Sequence, residues 1–306
     1  MLTHDFDYQT LIQLSERVAW RIDDVINTTT RLDFGLAFLP DSLVLAQEIR
    51  CLTPAEKLTL NHIRGNSYVH LFAFVEEYII AVAVRHASAE IFGDEKTLRA
   101  LLRFAEEESK HQTMFKRFGD LFAKSFATPC GVIGDAEAVA GVILSKSPIA
   151  VLLITLHLEL MTQQHFVDCF REGKEDVDPT FRQMFRSHWL EEAQHAKIDV
   201  LELEKLAMEA DQKAIDKGFS DYLDLLGALD GLLGEQAKLD LESLSRAIGR
   251  DLSEAERAEI LTVQRKAYRS TFIVSGMTSP SFIKWVGELS PTGFARVAET
   301  VPRFSI

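Results

Sequence analysis

Hydrophobic positions recur every three to four residues along almost the whole chain, and sustained strand-like alternation is scarce; the pattern predicts an all-α protein. Residues 8–27 form an amphipathic segment. The pattern over 31–60 is mixed, but Leu39-Pro40-Asp41-Ser42 and Thr53-Pro54-Ala55-Glu56 both read as helix starts, with proline beside capping and acidic residues. Long helices are predicted at 61–92, 95–126, 149–171 and 180–210. They are punctuated by Phe92-Gly93-Asp94, by Thr128-Pro129 and by Glu172-Gly173. A shorter helix at 135–145 ends at Ser147-Pro148, two further helical segments cover 218–247 and 253–285, and 286–306 has no clear pattern. No low-complexity linker interrupts the chain. The expectation is one domain over 1–306, with a four-helix core at 61–210 flanked by helices in 1–60 and 211–306.

Polar residues break these apolar faces at few places, and those places are informative. Ser187-His188-Trp189-Leu190-Glu191-Glu192-Ala193-Gln194-His195 puts His188, Glu192 and His195 at i, i+4 and i+7, one face of a helix. A second Glu-x-x-His stands at Glu108-Ser109-Lys110-His111. Two other helices carry acids within apolar runs, Glu76-Glu77 after Leu71-Phe72-Ala73-Phe74-Val75 and Glu159 after Leu152-Leu153-Ile154-Thr155-Leu156. A carboxylate in such surroundings is costly unless it is paired or bound to metal. Glu77 precedes Glu108 by 31 residues and Glu159 precedes Glu192 by 33, the spacing that brings two ligands level across a pair of antiparallel helices.

Two Glu-x-x-His helices and two single-Glu helices make the ligand inventory of a dinuclear carboxylate site in a four-helix bundle. The expected metal ligands are Glu77, Glu108, His111, Glu159, His188, Glu192 and His195. Glu77 is preferred to Glu76 because His70, Phe74 and Ala81 lie along its face. Glu107 and Glu191, one residue before each motif, are rotated toward the neighbouring helix, where each could hold the free N–H of the opposite histidine. His70 is a weaker candidate for the same outer role. Carboxylate and imidazole without thiolate suit two iron ions, with manganese or a mixed Fe/Mn pair also compatible.

Composition adds exclusions. A net charge of −13 without a basic run argues against nucleic acid and against an anionic membrane surface. The apolar stretches interrupted at Glu76-Glu77 and at His157/Glu159 read as too short and too polar to span a bilayer. Cys51, Cys130 and Cys169 are widely spaced and odd in number, so no disulfide framework is expected. Met1-Leu2-Thr3-His4-Asp5 does not read as a signal peptide, and a cytoplasmic setting is the expectation.

With those residues in hand, the chain resembles ferritin-like di-iron proteins, and more narrowly the p-aminobenzoate N-oxygenase family of di-iron oxygenases. The broad match covers 61–210. The narrow one rests on His188, one turn before the second Glu-x-x-His. The resemblance implies one metal on Glu77, Glu108 and His111 and another on Glu159, Glu192 and His195, with His188 adding a third nitrogen on the second metal's side. It also implies dioxygen activation, an external electron donor and N-oxygenation of a small, preferably aromatic, amine. The residues alone leave open a ferroxidase, peroxidase or other oxidase, and a metal-binding protein without turnover. A homodimer through the C-terminal helices is the expected assembly.

Overall fold

The structure, a computed structural model, describes residues 5–173 and 175–305. The reading of Met1–His4 therefore falls outside the described residues. The helices are α1 (Tyr8–Val18), α2 (Ile22–Val25), α3 (Asp41–Val44), α4 (Pro54–Ala89), α5 (Glu95–Ser125), α6 (Ala136–Leu144) and α7 (Pro148–His165). They continue with α8 (Pro179–Glu209), α9 (Gln212–Ile248), α10 (Glu254–Arg269), α11 (Ser275–Thr278), α12 (Pro280–Leu289) and α13 (Pro291–Thr300). Among the described residues the only β-type pairing is a single bridge between Ala37 and Val177. The fold is all-α, as the periodicity predicts.

Local chemistry sets the helix ends. At the start of α4, the Thr53 side chain accepts from Glu56 N while the Glu56 carboxylate accepts from Thr53 N, and Pro54 fills a position that needs no donor. This makes one 36-residue helix where the sequence suggests a start near 61. The Asp94 side chain caps α5 through Thr97 N, and Asp178 caps α8 through Phe181 N. The 8–27 segment divides into α1 and α2 at Ala19-Trp20, and the 149–171 segment ends in a π-helical stretch over Phe166–Arg171. The patternless tail forms α13.

Helices α4, α5, α7 and α8 make the four-helix core, α4 packing along α5 and α7 along α8. Helix α7 is buried on nearly every side, from Ile149 to His165, because α9, α11 and α12 cover the faces that α8 leaves free. That is why its sequence is apolar all round rather than striped. Helix α1 crosses α5 and α8. One continuous apolar cluster runs from Leu11 to Val297, so the flanking helices share the core of the bundle.

Among the described residues, α4 is the one helix long and apolar enough to cross a membrane by length and composition, contrary to the expectation that this stretch is too short and too polar. Its apolar window is 67% buried within the protein, so packing accounts for its character. Gly276 illustrates how close the covering layer sits, since a Cβ there would fall 2.3 Å from His157 Nε2.

Two core histidines sit in this layer. His157 lies between the Tyr222 hydroxyl at 2.8 Å and the Phe272 carbonyl at 3.0 Å; His165 lies between the Tyr68 hydroxyl at 2.9 Å and Ser275 Oγ at 3.0 Å. Burial pushes His157 down to about 4 and His165 to about 3. Both stay neutral in the folded protein while the unfolded chain takes up a proton below about pH 6.5, so each withdraws stability as pH falls from that value. At pH 5 the loss is about 2 kcal/mol per histidine. The expected outcome is that His165→Gln loses about 2 kcal/mol less than wild type between pH 7 and pH 5 in urea unfolding of the metal-free protein. Comparing the two proteins cancels the carboxylates that titrate in the same window.

Candidate metal centre

The long helices bring their polar interruptions to one level. From α8, His188, Glu192 and His195 face inward, each at most 3% exposed; Glu108 and His111 of α5 are fully buried opposite them. Glu76 comes from α4 and Glu159 from α7, at 3% and 2% exposure. Two overlapping four-residue groups can each surround a cation. One is Glu76, His111, His188 and Glu192; the other is Glu108, His111, Glu192 and His195. Glu192, with two carboxylate oxygens, can serve both groups at once, whereas His111, whose Nε2 faces Glu191, has one inward nitrogen and can serve one ion of a pair.

The contacts inside the cluster are close without being hydrogen bonds. Glu108 Oε1 lies 2.7 Å from His195 Nδ1, and Glu192 Oε1 lies 2.9 Å from His188 Nε2 and 3.2 Å from His111 Nδ1. Glu76 Oε1 is 3.0 Å from His188 Nε2. Yet both oxygens of Glu76, Glu108 and Glu159, Glu192 Oε1, and the inward nitrogens of all three histidines lack any hydrogen-bond partner. Buried polar atoms are ordinarily satisfied. Carboxylate oxygens and imidazole nitrogens crowded together at these distances and desolvated are what a bound cation relieves.

An outer ring of contacts fixes the histidines. His111 Nε2 donates to Glu191 Oε2 at 2.9 Å and His195 Nε2 donates to Glu107 Oε2 at 3.0 Å. The pairing is crossed: the acid on α8 holds the histidine on α5, and the acid on α5 holds the histidine on α8. With the proton on Nε2, each ring turns its Nδ1 lone pair inward. Ser15 Oγ of α1 donates to Glu107 Oε1, Arg103 Nη2 stands 3.6 Å from the same oxygen, and Lys110 Nζ donates to Glu191 Oε1 at 2.5 Å. The Trp20 ring stacks on His111 at 5.9 Å between centroids and 10° between planes. Phe104 stacks on His195 at 4.2 Å. His188 has no acid behind it; Phe72 and Phe115 stand edge-on to its ring at 5.4 and 5.1 Å.

Without a cation the electrostatics are frustrated. Burial, then the Glu108 charge, raises the Glu76 carboxyl well above the usual range, and burial with the Glu192 charge does the same to Glu159. Burial opposes the charged form of His111, but Glu191 and Glu192 outweigh it and lift the ring to about 9. His188 rises to about 8 against the same penalty, chiefly through Glu192. The protons these groups hold are the ones a metal displaces.

Several candidate residues occupy other places than the sequence suggests. Glu77 points away from the cluster; its side chain is 37% exposed and lies 3.3 Å from Lys116 Nζ. One residue is about 100° of helix rotation, and that turn exchanges Glu77 for Glu76. His70 gives its Nε2 proton to the Ile133 carbonyl at 2.6 Å and takes no part in the centre. His188 stands on the Glu76 side rather than beside Glu159. Glu159 faces Glu192 from just outside the two tight groups.

Three residues at the centre escape the sequence reading. Asp199 is 2% exposed with Oδ2 unpartnered, and burial raises its carboxyl well above the usual range. It continues the 188/192/195 spacing by one more turn, so helical periodicity could have found it. Ser15 and Trp20 come from the N-terminal segment, and no spacing points to them.

No known protein-family profile matches the chain, and no curated protein matches it. Among solved structures, an R2-like ligand-binding oxidase with aerobically reconstituted Mn/Fe cofactor is similar to it at 15% identity, with a TM-score of 0.47 over 88% of this chain and 98% of that one. A mutant of an R2-like ligand-binding oxidase with anaerobically reconstituted Mn/Fe cofactor is 14% identical, with a TM-score of 0.46 over the same shares. Likenesses of this degree carry no function.

Substitution separates the two neighbouring acids. Glu76→Ala is expected to reduce metal content after anaerobic Mn(II) or Fe(II) loading from about two ions per chain to about one or fewer. Glu77→Ala should leave the stoichiometry at the wild-type value. Equal loss in both variants, or in neither, would contradict the geometry.

Proposed function

We propose that this protein is a dinuclear non-haem metal oxidoreductase that uses dioxygen to oxidise a small organic substrate, with an amine preferred. The observation that carries this reading is the convergence of four carboxylates and three histidines whose inward atoms have no hydrogen-bond partner, two of the rings being locked from behind by acids. An imidazole–carboxylate set lacking thiolate favours iron or a mixed Mn/Fe pair over structural zinc. When bound, such a pair supplies electrons for reducing dioxygen.

The chain's residues have separable parts in that chemistry. Glu107 and Glu191 hold the Nε2 protons of His195 and His111, so neither ring can flip its ligating nitrogen away. Phe72, Phe104, Phe115 and Trp20 pack on the histidines and keep bulk water from them. Asp199, whose carboxyl burial raises well above the usual range, stands close to the centre one turn beyond His195 on the same helix. An external electron donor is required, because each turnover consumes reducing equivalents. The amine preference draws on the His188-x-x-x-Glu192-x-x-His195 resemblance.

The test is anaerobic Fe(II) loading followed by addition of dioxygen. The expected outcome is about two irons per chain, oxygen consumption coupled to oxidation of an arylamine, and loss of both in a His111→Ala/His195→Ala double variant. Tight metal uptake with no oxygen consumption would replace this reading with metal binding alone.

A further inference from the structure

We infer that dioxygen reaches the metal centre from the groove between α4 and α5, and that Phe115 is the partition it passes. The inference deepens the proposed oxidoreductase reading and rests on it. The groove encloses about 690 Å³. Val69, Ala73 and Phe74 of α4 and Phe115, Gly119 and Phe122 of α5 form its apolar walls, and residues 126–136 close the third side. Those residues are tied down by His70 Nε2 donating to the Ile133 carbonyl at 2.6 Å and by Ile133 N donating to Gln236 Oε1 at 2.9 Å, so the groove is built into the fold. Glu77, Lys116, Asp120 and Asp135 carry the charge of its lining, and all four reach solvent. A molecule deep in the groove meets mainly apolar side chains.

Phe115 joins this groove to the centre. Its ring lines the groove while being 1% exposed, and the same ring stands edge-on to His188 with centroids 5.1 Å apart and planes at 79°. One aromatic side chain therefore lies between the groove and a ring of the metal cluster. The wall at this point is held by packing alone. His188 has no acid behind it and neither of its ring nitrogens has a hydrogen-bond partner, so displacing Phe115 breaks no polar contact. Side chains in packed cores hop between rotamers, and a diatomic molecule needs no wider opening than that.

A second approach to the centre is barred by charge. A cavity of about 570 Å³ is lined by Trp20, whose ring stacks on His111, and by Lys110. Lys110 Nζ stands 4.4 Å from the centroid of the Trp20 ring and 2.5 Å from Glu191 Oε1, on the acid that holds His111. A neutral molecule entering there has to part an ion pair that is largely out of water, which is costly. At Phe115 it parts only carbon from carbon. Dioxygen is small, uncharged and better dissolved by apolar surroundings than by water, so it takes the apolar way in.

Gly119 provides the test. It lies one turn beyond Phe115 on α5, where a side chain would lean back over residue 115, and a Cβ there meets nothing within 4 Å. Gly119→Leu therefore covers the outer face of Phe115 without disturbing the backbone. The measurement is the stopped-flow rate at which nitric oxide, a neutral diatomic probe for dioxygen, binds to the full chain loaded anaerobically with Fe(II). The expected result for Gly119→Leu is wild-type iron content with association at least about tenfold slower, because the probe has to overpack the covered wall. Gly119→Ala should fall between the two, and Phe115→Ala, which removes the partition, should bind faster than wild type. A Gly119→Leu rate equal to that of wild type at full iron content overturns the inference, as does a Phe115→Ala rate no higher than that of wild type. Wild type that takes up no Fe(II), or takes it up and binds no nitric oxide, overturns the oxidoreductase reading and this inference with it, a result distinct from binding at an unchanged rate.

Discussion

The crossed pairing of Glu107 with His195 and Glu191 with His111 is the constraint from which the centre follows. Each pair spans α5 and α8, so it fixes the register of two helices as well as the tautomer of a ring. With both Nε2 protons taken, both Nδ1 lone pairs have to face the interior, where Glu108 and Glu192 already stand. Pairing that satisfies the outer atoms leaves the inner ones unsatisfied by design of the geometry. A protein built only for stability would replace that cluster with apolar side chains at little cost or some gain. Its presence in the middle of an otherwise aliphatic and aromatic core is therefore a functional statement.

Much of this was legible in the sequence, and the part that was not has a physical cause. The Glu-x-x-His motif of α5 was readable because that helix is striped, so its polar residues reveal which face is buried; α8 is buried nearly all round, and its motif was readable from the i, i+4, i+7 spacing of His188, Glu192 and His195 alone. The acids preceding each motif followed from the same geometry. Helix α4 gave no such guide. It is apolar both toward the bundle, at Tyr68, Phe72 and Ile79, and toward the groove, at Val69 and Phe74, so periodicity could not decide between Glu76 and Glu77. The face holding His70 and Phe74, which favoured Glu77 in the sequence, is the face that lines the groove. An apolar face was recognised there, and it belonged to a different feature.

The flanking helices were illegible for another reason. Their roles at the centre rest on single residues, Ser15 on Glu107 and Trp20 on His111, reached across gaps of 92 and 91 positions. Nothing local in the sequence encodes such contacts, because each is made by one side chain on an element whose own pattern is set by packing elsewhere. The N-terminal segment looks like an appendage in the sequence; in the structure it completes the surroundings of both locked histidines.

Charge balance explains why the outer cations sit where they do. The inner acids Glu76, Glu108, Glu159 and Glu192 would be matched by two divalent ions if all four are ionised, with the histidines neutral. The outer acids Glu107 and Glu191 would then be left as two uncompensated charges in the core. Arg103 beside Glu107 and Lys110 on Glu191 supply one positive charge to each. A fifth inner acid, Asp199, would upset the balance if ionised, and burial opposes its ionisation. The metal-free centre cannot reach neutrality this way and instead holds protons on His111 and His188 while suppressing ionisation of Glu76 and Glu159. The same set of side chains is thus poorly matched to protons and well matched to two divalent cations, which ties the arrangement of the outer shell to the occupant of the inner one.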